Sequence, residues 1–359
     1  MNILLVNSAA PELWGGGEKW FVSAAQWFNQ HGHRAEMVVR PNSKLLARAE
    51  ELKLEALTSD FGGDFDPLAM LRAREMIRTS QANVVLTNFN KESWQFGVAG
   101  RSLKVPVVAR HGFTLWSKKL RHKFLAEKVI GKLIVNAESI RESYQALGLA
   151  PKDVTFIPNG VEQVKQFPGK LRRQLGITEN ELLLVSAGRL ESQKRFDRVL
   201  NYAVELKKMH TFRLALFGTG PLESQLREQV KTLELNEYVA FCGFDPEFAS
   251  LVGDADLFLL TSDDEGTPNV VLEAMIAGVP ALGFNVGTMN TILDGELSEF
   301  LIKAGNDSAF LSKLTSLIEH RDTLHTWREK FRSRALHDFS FDSSMQRYLE
   351  VLTSAVTRA

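Results

Sequence analysis

Two glutamates set beside the start of one helix are the residues best placed to do chemistry. They lie in Asp264-Glu265-Gly266-Thr267-Pro268-Asn269-Val270-Val271-Leu272-Glu273-Ala274. Thr267 is a capping residue type, and Pro268 suits the first helical position, where the missing N–H has no partner anyway. On this reading Glu265 sits in the loop before the helix, and Glu273 about a turn and a half inside it. The free amides of the first turn, near Asn269 and Val270, point at the same space. Carboxylates accept from hydroxyls and free amides favour anions, so the spot fits a polyhydroxylated anion such as a sugar nucleotide.

A second group of candidates follows the strand that ends in Ser186-Ala187. Gly188 and Arg189 open a loop that reaches Lys194 before the next helix. Arginine offers a planar fork to phosphate oxygens and lysine a mobile point charge, so the pair suits a diphosphate leaving group; alone, both also read as solvated loop charges. Gly218-Thr219-Gly220 is a tight turn between strand and helix, with or without a ligand, and Phe241-Cys242-Gly243-Phe244 ends another strand where backbone groups would meet a nucleobase. Near the N-terminus, Gly15-Gly16-Gly17 opens a helix and would let amides approach a phosphate. It lacks the Gly-x-Gly-x-x-Gly spacing of a dinucleotide site. His111, placed directly after a strand, reads more readily as structural than as catalytic on its own.

Strand-like apolar runs alternate with helical periodicity to carry these residues. The runs are Ile3–Val6, Ala35–Val39, Val84–Thr87, Val105–Ala109, Lys132–Val135 and Val154–Ile157, then Leu182–Gly188, Arg213–Gly218, Tyr238–Cys242, Leu257–Thr261 and Val279–Gly283. Short apolar runs between helices read as buried parallel strands. Pro158-Asn159-Gly160-Val161 and the polar stretch to Gly169 interrupt the series as a linker. The expectation is an α/β protein of two Rossmann-like, doubly wound domains facing across a cleft, residues 1–162 and 163–339, with chemistry at the carboxyl ends of the strands. One long helix is expected over Ser308–Ser333. The last segment, about 340–359, reads as an amphipathic helix through Met345, Tyr348, Leu349, Leu352 and Val356.

The totals exclude several classes. At 359 residues with 44% apolar and 24% charged residues the composition is that of an ordinary globular protein, and no run reaches the ~20 apolar residues of a membrane span. Cys242 is the single cysteine, which rules out internal disulfides and Cys-rich metal frameworks; it reads as an inert thiol. Met1 leads straight into a strand pattern rather than a signal peptide, so the expectation is a cytosolic chain. Net charge is zero, yet residues 1–165 carry 22 Lys and Arg against 16 Asp and Glu, and the remainder 21 against 27. Much of the basic excess lies between Trp116 and Lys132. That stretch suggests a lipid-linked acceptor and contact with an anionic leaflet through Trp116, Leu120, Phe124 and Leu125, or else a solvated helix face. Nucleic acid is not an expected partner.

Taken together these residues resemble the retaining glycosyltransferases of the GT-B fold, family 4, over nearly the whole chain. The glycines at Gly15–Gly17, His111, Ile157-Pro158-Asn159-Gly160-Val161, Gly188-Arg189-Leu190 with Lys194, Gly218-Thr219-Gly220, Phe241-Cys242-Gly243 and the paired glutamates ahead of Ala274-Met275-Ile276-Ala277-Gly278-Val279-Pro280 carry the resemblance in order. It implies that Arg189 and Lys194 bind the donor diphosphate and that Glu273 accepts from the ribose hydroxyls. Glu265 with the backbone of Gly266, Thr267, Pro268, Asn269 and Val270 would hold the donor sugar. Gly17 and its neighbours would approach the diphosphate, His111 would face the sugar, and the last helix would cross back onto the first domain. The implied donor is a UDP- or GDP-linked sugar, the acceptor a lipid-linked or polysaccharide precursor, and no metal or other cofactor is required. Two departures stand out: Arg195 follows Lys194 where the family often has glycine, and Thr288 and Asn290 replace a glycine and an acidic residue often seen there. A nucleotide-binding scaffold without activity, and a sugar-nucleotide epimerase on the same fold, are the competing readings.

Overall fold

The structure, a computed structural model, describes residues 1–88, 91–112, 119–178 and 180–358, without the side chains of Lys119, Leu120 and Arg358. Among the described residues thirteen strands form: β1 (Asn2–Val6), β2 (Arg34–Val39), β3 (Ala56–Thr58), β4 (Val84–Thr87), β5 (Val107–His111), β6 (Lys132–Val135), β7 (Val154–Phe156), β8 (Leu182–Ala187), β9 (Phe212–Phe217), β10 (Val239–Gly243), β11 (Leu257–Leu260), β12 (Ala281–Phe284) and β13 (Leu301–Ile302). They divide between two compact units. The first, Met1–Pro158 with the chain from Ser344 onward, holds a sheet in the order β3-β2-β1-β4-β5-β6-β7. The second, Asn159–Ser343, holds β10-β9-β8-β11-β12-β13.

Every pairing is parallel. Crossover helices bury both faces of such a sheet, which is why every residue of β4, β8, β11 and β12 is buried and all but Thr87 and Ser186 are apolar or glycine. Each sheet reverses its strand order once, between β1 and β4 and between β8 and β11. Loops leaving the two central strands there diverge and open a crevice at their carboxyl ends.

Proline corrects two expected strand starts. β5 begins at Val107 rather than Val105, and β12 at Ala281 rather than Val279. Pro106 and Pro280 have no amide for the ladder, so each stands just ahead of its strand and offers only its carbonyl, to Val85 (3.0 Å) and Phe258 (2.9 Å). His111 is therefore the last residue of β5 and not the first of a loop. The expected long helix is two, Asp307–Glu319 and Arg321–Asp338, broken at His320, whose φ of −110° and ψ of 42° leave the helical region. The Lys44–Glu51 helix, capped by the Ser43 hydroxyl, and the short β3 have too few residues to show a period.

The C-terminal helix, Phe341–Arg358, packs from Ser344 onward within the first unit. Tyr348 is buried against Trp20 with ring centroids 4.8 Å apart, Ser344 donates to the Pro158 carbonyl, and Arg347 to that of Phe156. In the second unit, Gly160 lies so close to Phe341 that a side chain would meet its Cα at 2.5 Å, and Val161 exchanges backbone bonds with Phe339 and Phe341.

At the crevice of the second unit the ends of β8, β9 and β10 are drawn together by backbone bonds from Gly188 to Phe217, Leu190 to Thr219 and Gly218 to Gly243. Only glycine fits at 218: its φ is 124°, and a Cβ there would lie 1.8 Å from the Gly188 carbonyl oxygen. Gly218→Ala is expected to cost about 3 kcal/mol or more of stability, read as an earlier midpoint in urea. An unchanged midpoint would contradict this contact.

Candidate functional site

The loops that leave β8 and β11 are joined residue by residue. Thr261 donates its hydroxyl to the carbonyls of Lys194 and Arg195, the Asp263 amide donates to the Gln193 carbonyl, and the Gln193 side-chain amide donates to the Asp264 carbonyl. Asp263 also pairs with Arg195 (3.0 Å) and Arg198 (2.6 Å). This lacing brings Lys194 and Glu265 together, 71 residues apart in sequence, as an ion pair of 2.6 Å. Glu265 is only 8% exposed, and its Oε1 takes a second donor, the Ser262 hydroxyl at 2.7 Å. Burying a carboxylate is expensive unless it is paired and hydrogen-bonded, and Oε1 meets both conditions.

The loop after Glu265 is held from below. The amide and hydroxyl of Thr288 both donate to the Gly266 carbonyl, at 3.0 and 3.2 Å. Gly287, with φ of 57°, fits only because a side chain there would meet the carbonyls of Glu265 and Gly266 at 2.4 Å. Thr288, one of the two departures noted in the sequence, thus adds a hydroxyl bond that a glycine lacks.

The helix over the site runs Asn269–Ile276 and starts one residue later than expected. Pro268 is its cap, extended at ψ of 90°, and accepts from the Val271 amide; Thr267 is buried one place ahead of the cap. The consequence for a ligand is unchanged, because the amides of Asn269 and Val270 still have no partner within the helix. Asn159 fixes this end by donating to the Asn269 side chain at 3.0 Å. Glu273 lies half-buried in the second turn.

The other cations of the loop divide clearly. Arg189 is 72% exposed at its side chain and pairs with Glu191. Arg195 occupies a left-handed position, φ of 52°, which explains why glycine would serve there. It is held by Asp197 and Asp263, which raise its pKa further by hydrogen bonding and charge, so its guanidinium is committed to neighbours and not to a phosphate. Gly188 and Gly218 form the floor between these loops, and Phe244 is exposed just past β10. Burial and the Asp245 charge push the Cys242 thiol up to about 11, which leaves it unreactive at neutral pH. Among the described residues no group of three His, Cys, Asp or Glu side chains gathers as a metal site.

In the first unit the expected residues lie at the carboxyl edge of its sheet. Gly15 caps the Gly16–Gln30 helix, and its amide is taken by the Glu18 carboxylate at 3.0 Å, so the chain's own anion occupies that position; the amides of Gly16 and Gly17 remain without helical partners. His111 is buried with its Nδ1 3.0 Å from the Tyr144 hydroxyl. Burial, then the charges of His122 and Arg110, lower its pKa to about 3, so the imidazole is neutral. Sequence reasoning missed Glu92, which is wholly buried, receives the Ser8 hydroxyl at 2.6 Å and is held above the usual carboxylate range by that burial. It also missed Ser262; neither residue belongs to a period or motif that marks it. In the basic stretch, Leu125 is core at 3% exposure, which removes it from any membrane face, whereas Phe124 is 54% exposed. Trp116 and the Leu120 side chain lie outside the described residues.

His111 sets a pH dependence. Its pKa is about 3 in the folded chain against 6.5 as the ordinary value. The unfolded chain therefore binds the extra proton first, so stability is complete above pH ~6.5 and falls as pH drops toward 3. His111→Gln should remove about one proton's worth of slope, about 1.4 kcal/mol per pH unit, in unfolding series from pH 7 to pH 4. Parallel curves for the two proteins would refute the neutral buried imidazole.

Two family models match the chain, Glycosyltransferase Family 4 over residues 14–164 and Glycosyl transferases group 1 over residues 169–334. The UDP-Gal:alpha-D-GlcNAc-diphosphoundecaprenol alpha-1,3-galactosyltransferase of Escherichia coli is 25% identical over 295 residues, 77% of this chain and 76% of its own length. The N-acetyl-alpha-D-glucosaminyl L-malate synthase of Bacillus anthracis is 25% identical over 55% of this chain and 52% of its own. The chain thus spans about three quarters of one relative's length and about half of the other's. Among solved structures, Anabaena HepE in complex with UDP superposes with a TM-score of 0.86 at 21% identity, covering 99% of this chain and 100% of that one; the same protein was also solved with UDP-glucose. Matched by one family model in each of its two parallel-sheet units, on a backbone shared with HepE from end to end, the chain belongs to the group 1 glycosyl transferases and is a glycosyltransferase of the GT-B fold.

Proposed function

We propose that the protein transfers a sugar from a nucleoside-diphosphate sugar, UDP- or GDP-linked, to a glycan or lipid-linked acceptor, with retention at the anomeric carbon and without a metal. The observation that carries this reading is the Lys194–Glu265 pair at the strand-order reversal of the second unit, beside two helical amides that lack helical partners. A ligand with a diphosphate and hydroxyls answers all three: the amine and amides meet the phosphates, the carboxylates meet the hydroxyls. Arg189, exposed at the mouth of the same loop, is free to swing from Glu191 to a phosphate oxygen. Glu273 is assigned the ribose hydroxyls. UDP is favoured as the first donor to try, since the galactosyltransferase relative is named for UDP-Gal and HepE binds UDP-glucose.

In the proposed step the bond between the anomeric carbon and the diphosphate oxygen breaks, and its electron pair stays on the diphosphate. The acceptor oxygen attacks from the face being vacated, and its proton passes to the departing oxygen. Lys194 and Arg189 stabilise the negative charge as it grows, which is the role in which one preorganised contact is worth most. The acceptor falls to the first unit, at the carboxyl edge of its sheet. The exposed Phe124, with Arg121, Lys123 and Lys128 on the same helix, supports a lipid-bearing acceptor and peripheral contact with an anionic leaflet.

Lys194→Ala and Glu265→Ala should each lower donor turnover roughly a hundredfold to a thousandfold, with turnover by the unaltered protein persisting in EDTA. Near wild-type rates in both variants would contradict the assignment. Donor alone should release nucleoside diphosphate slowly, whereas an isomerised donor would indicate an epimerase. Membrane contact is read by co-sedimentation with anionic vesicles, expected at low salt and lost at high salt; no pellet at low salt removes it.

A further inference from the structure

We propose that Ser262 is a positioning residue for the transfer, one that fixes the Glu265 carboxylate so that Oε2 faces the donor sugar. This rests on the donor-binding reading above. Lys194 and Ser262 both donate to Oε1, at 2.6 and 2.7 Å, while Oε2 receives no hydrogen bond from the described residues. The two donors differ in what a substrate does to them. Lys194 is a long side chain, 21% exposed, on a short turn of the β8 loop, and an arriving diphosphate competes with Glu265 for its amine. Ser262 is 1% exposed with a single side-chain torsion, and its neighbours Thr261 and Asp263 are both tied to the β8 loop. A diphosphate cannot draw its hydroxyl away.

That difference matters at the moment of binding. Once Lys194 turns toward the phosphates, Glu265 is a buried carboxylate beside an incoming anion, and the repulsion between them favours rotation of its side chain. The Ser262 hydroxyl is the donor that remains, and it keeps Oε1 pinned and Oε2 presented to the sugar hydroxyls. Ser262 therefore acts on the sugar through Glu265 and not on the nucleotide.

Ser262→Ala should lower turnover about tenfold or more and weaken nucleotide-sugar binding, while UDP alone binds as before within about twofold. Ser262→Thr, which keeps the hydroxyl, should restore activity. In a Glu265→Gln background, removing Ser262 should change nothing further, because its effect runs through that carboxylate. The proposal is overturned if Ser262→Ala keeps full turnover, if it loses UDP affinity in step with turnover as a merely structural defect would, or if its loss adds fully to that of Glu265→Gln. Calorimetry of UDP against UDP-glucose keeps the question separate from catalysis: binding without turnover by the unaltered protein would sink the transferase reading alone, and the affinity comparison still decides on Ser262. An unaltered protein that binds no nucleotide sugar overturns both.

Discussion

A carboxylate withdrawn from water must be answered by a cation, a hydroxyl or a proton, and the second unit is arranged around one such answer. Glu265 is buried, and the amine and hydroxyl that satisfy it come from the ends of the two strands that flank the reversal of strand order. Neither strand end can drift without leaving that charge unpaired, which costs far more than an exposed ion pair ever returns. The bonds from Thr261, Gln193 and Asp263 hold the two loops in register, and Gly287 and Thr288 support the backbone beneath. Rigidity at this point is what a site that must discriminate sugar hydroxyls requires.

The surrounding cations show how a loop crowded with charge can stay selective. Arg195 and Arg198 are committed to Asp197, Asp263 and Asp307, and so hold the loop rather than meet a ligand. Lys194 is committed to one buried carboxylate, and Arg189, itself largely exposed, only to Glu191. The gradient from structural to available charge follows burial and the number of partners, and it falls along the ten residues from Arg198 to Arg189.

Much of this was legible in the chain. Apolar runs bounded by glycine and proline located most strands, because strands buried on both faces have nothing but apolar residues to show. The paired glutamates and the Arg189–Lys194 loop were legible because charged residues just after such runs have to lie at the carboxyl edge. What remained hidden depends on distance across the fold. Ser262 reads as one more polar loop residue until its hydroxyl is seen on Glu265. Arg195 reads only as a departure from glycine until its two aspartates appear. Leu125 and Phe124 are adjacent apolar residues on one helix, and only packing tells that one is core and the other surface. The break at His320 and the late start of β5 are local backbone events that average periodicity smooths over.

The last helix carries a consequence for how the molecule is made. The first unit closes over Trp20 only when Tyr348 and Arg347 arrive, 328 positions after the ring that Tyr348 covers and 191 after the strand end that Arg347 joins. On the ribosome the second unit emerges whole while the first waits, its sheet assembled but one flank bare to water and to chaperones. The domain begun first is thus closed only after the whole of the other has been made.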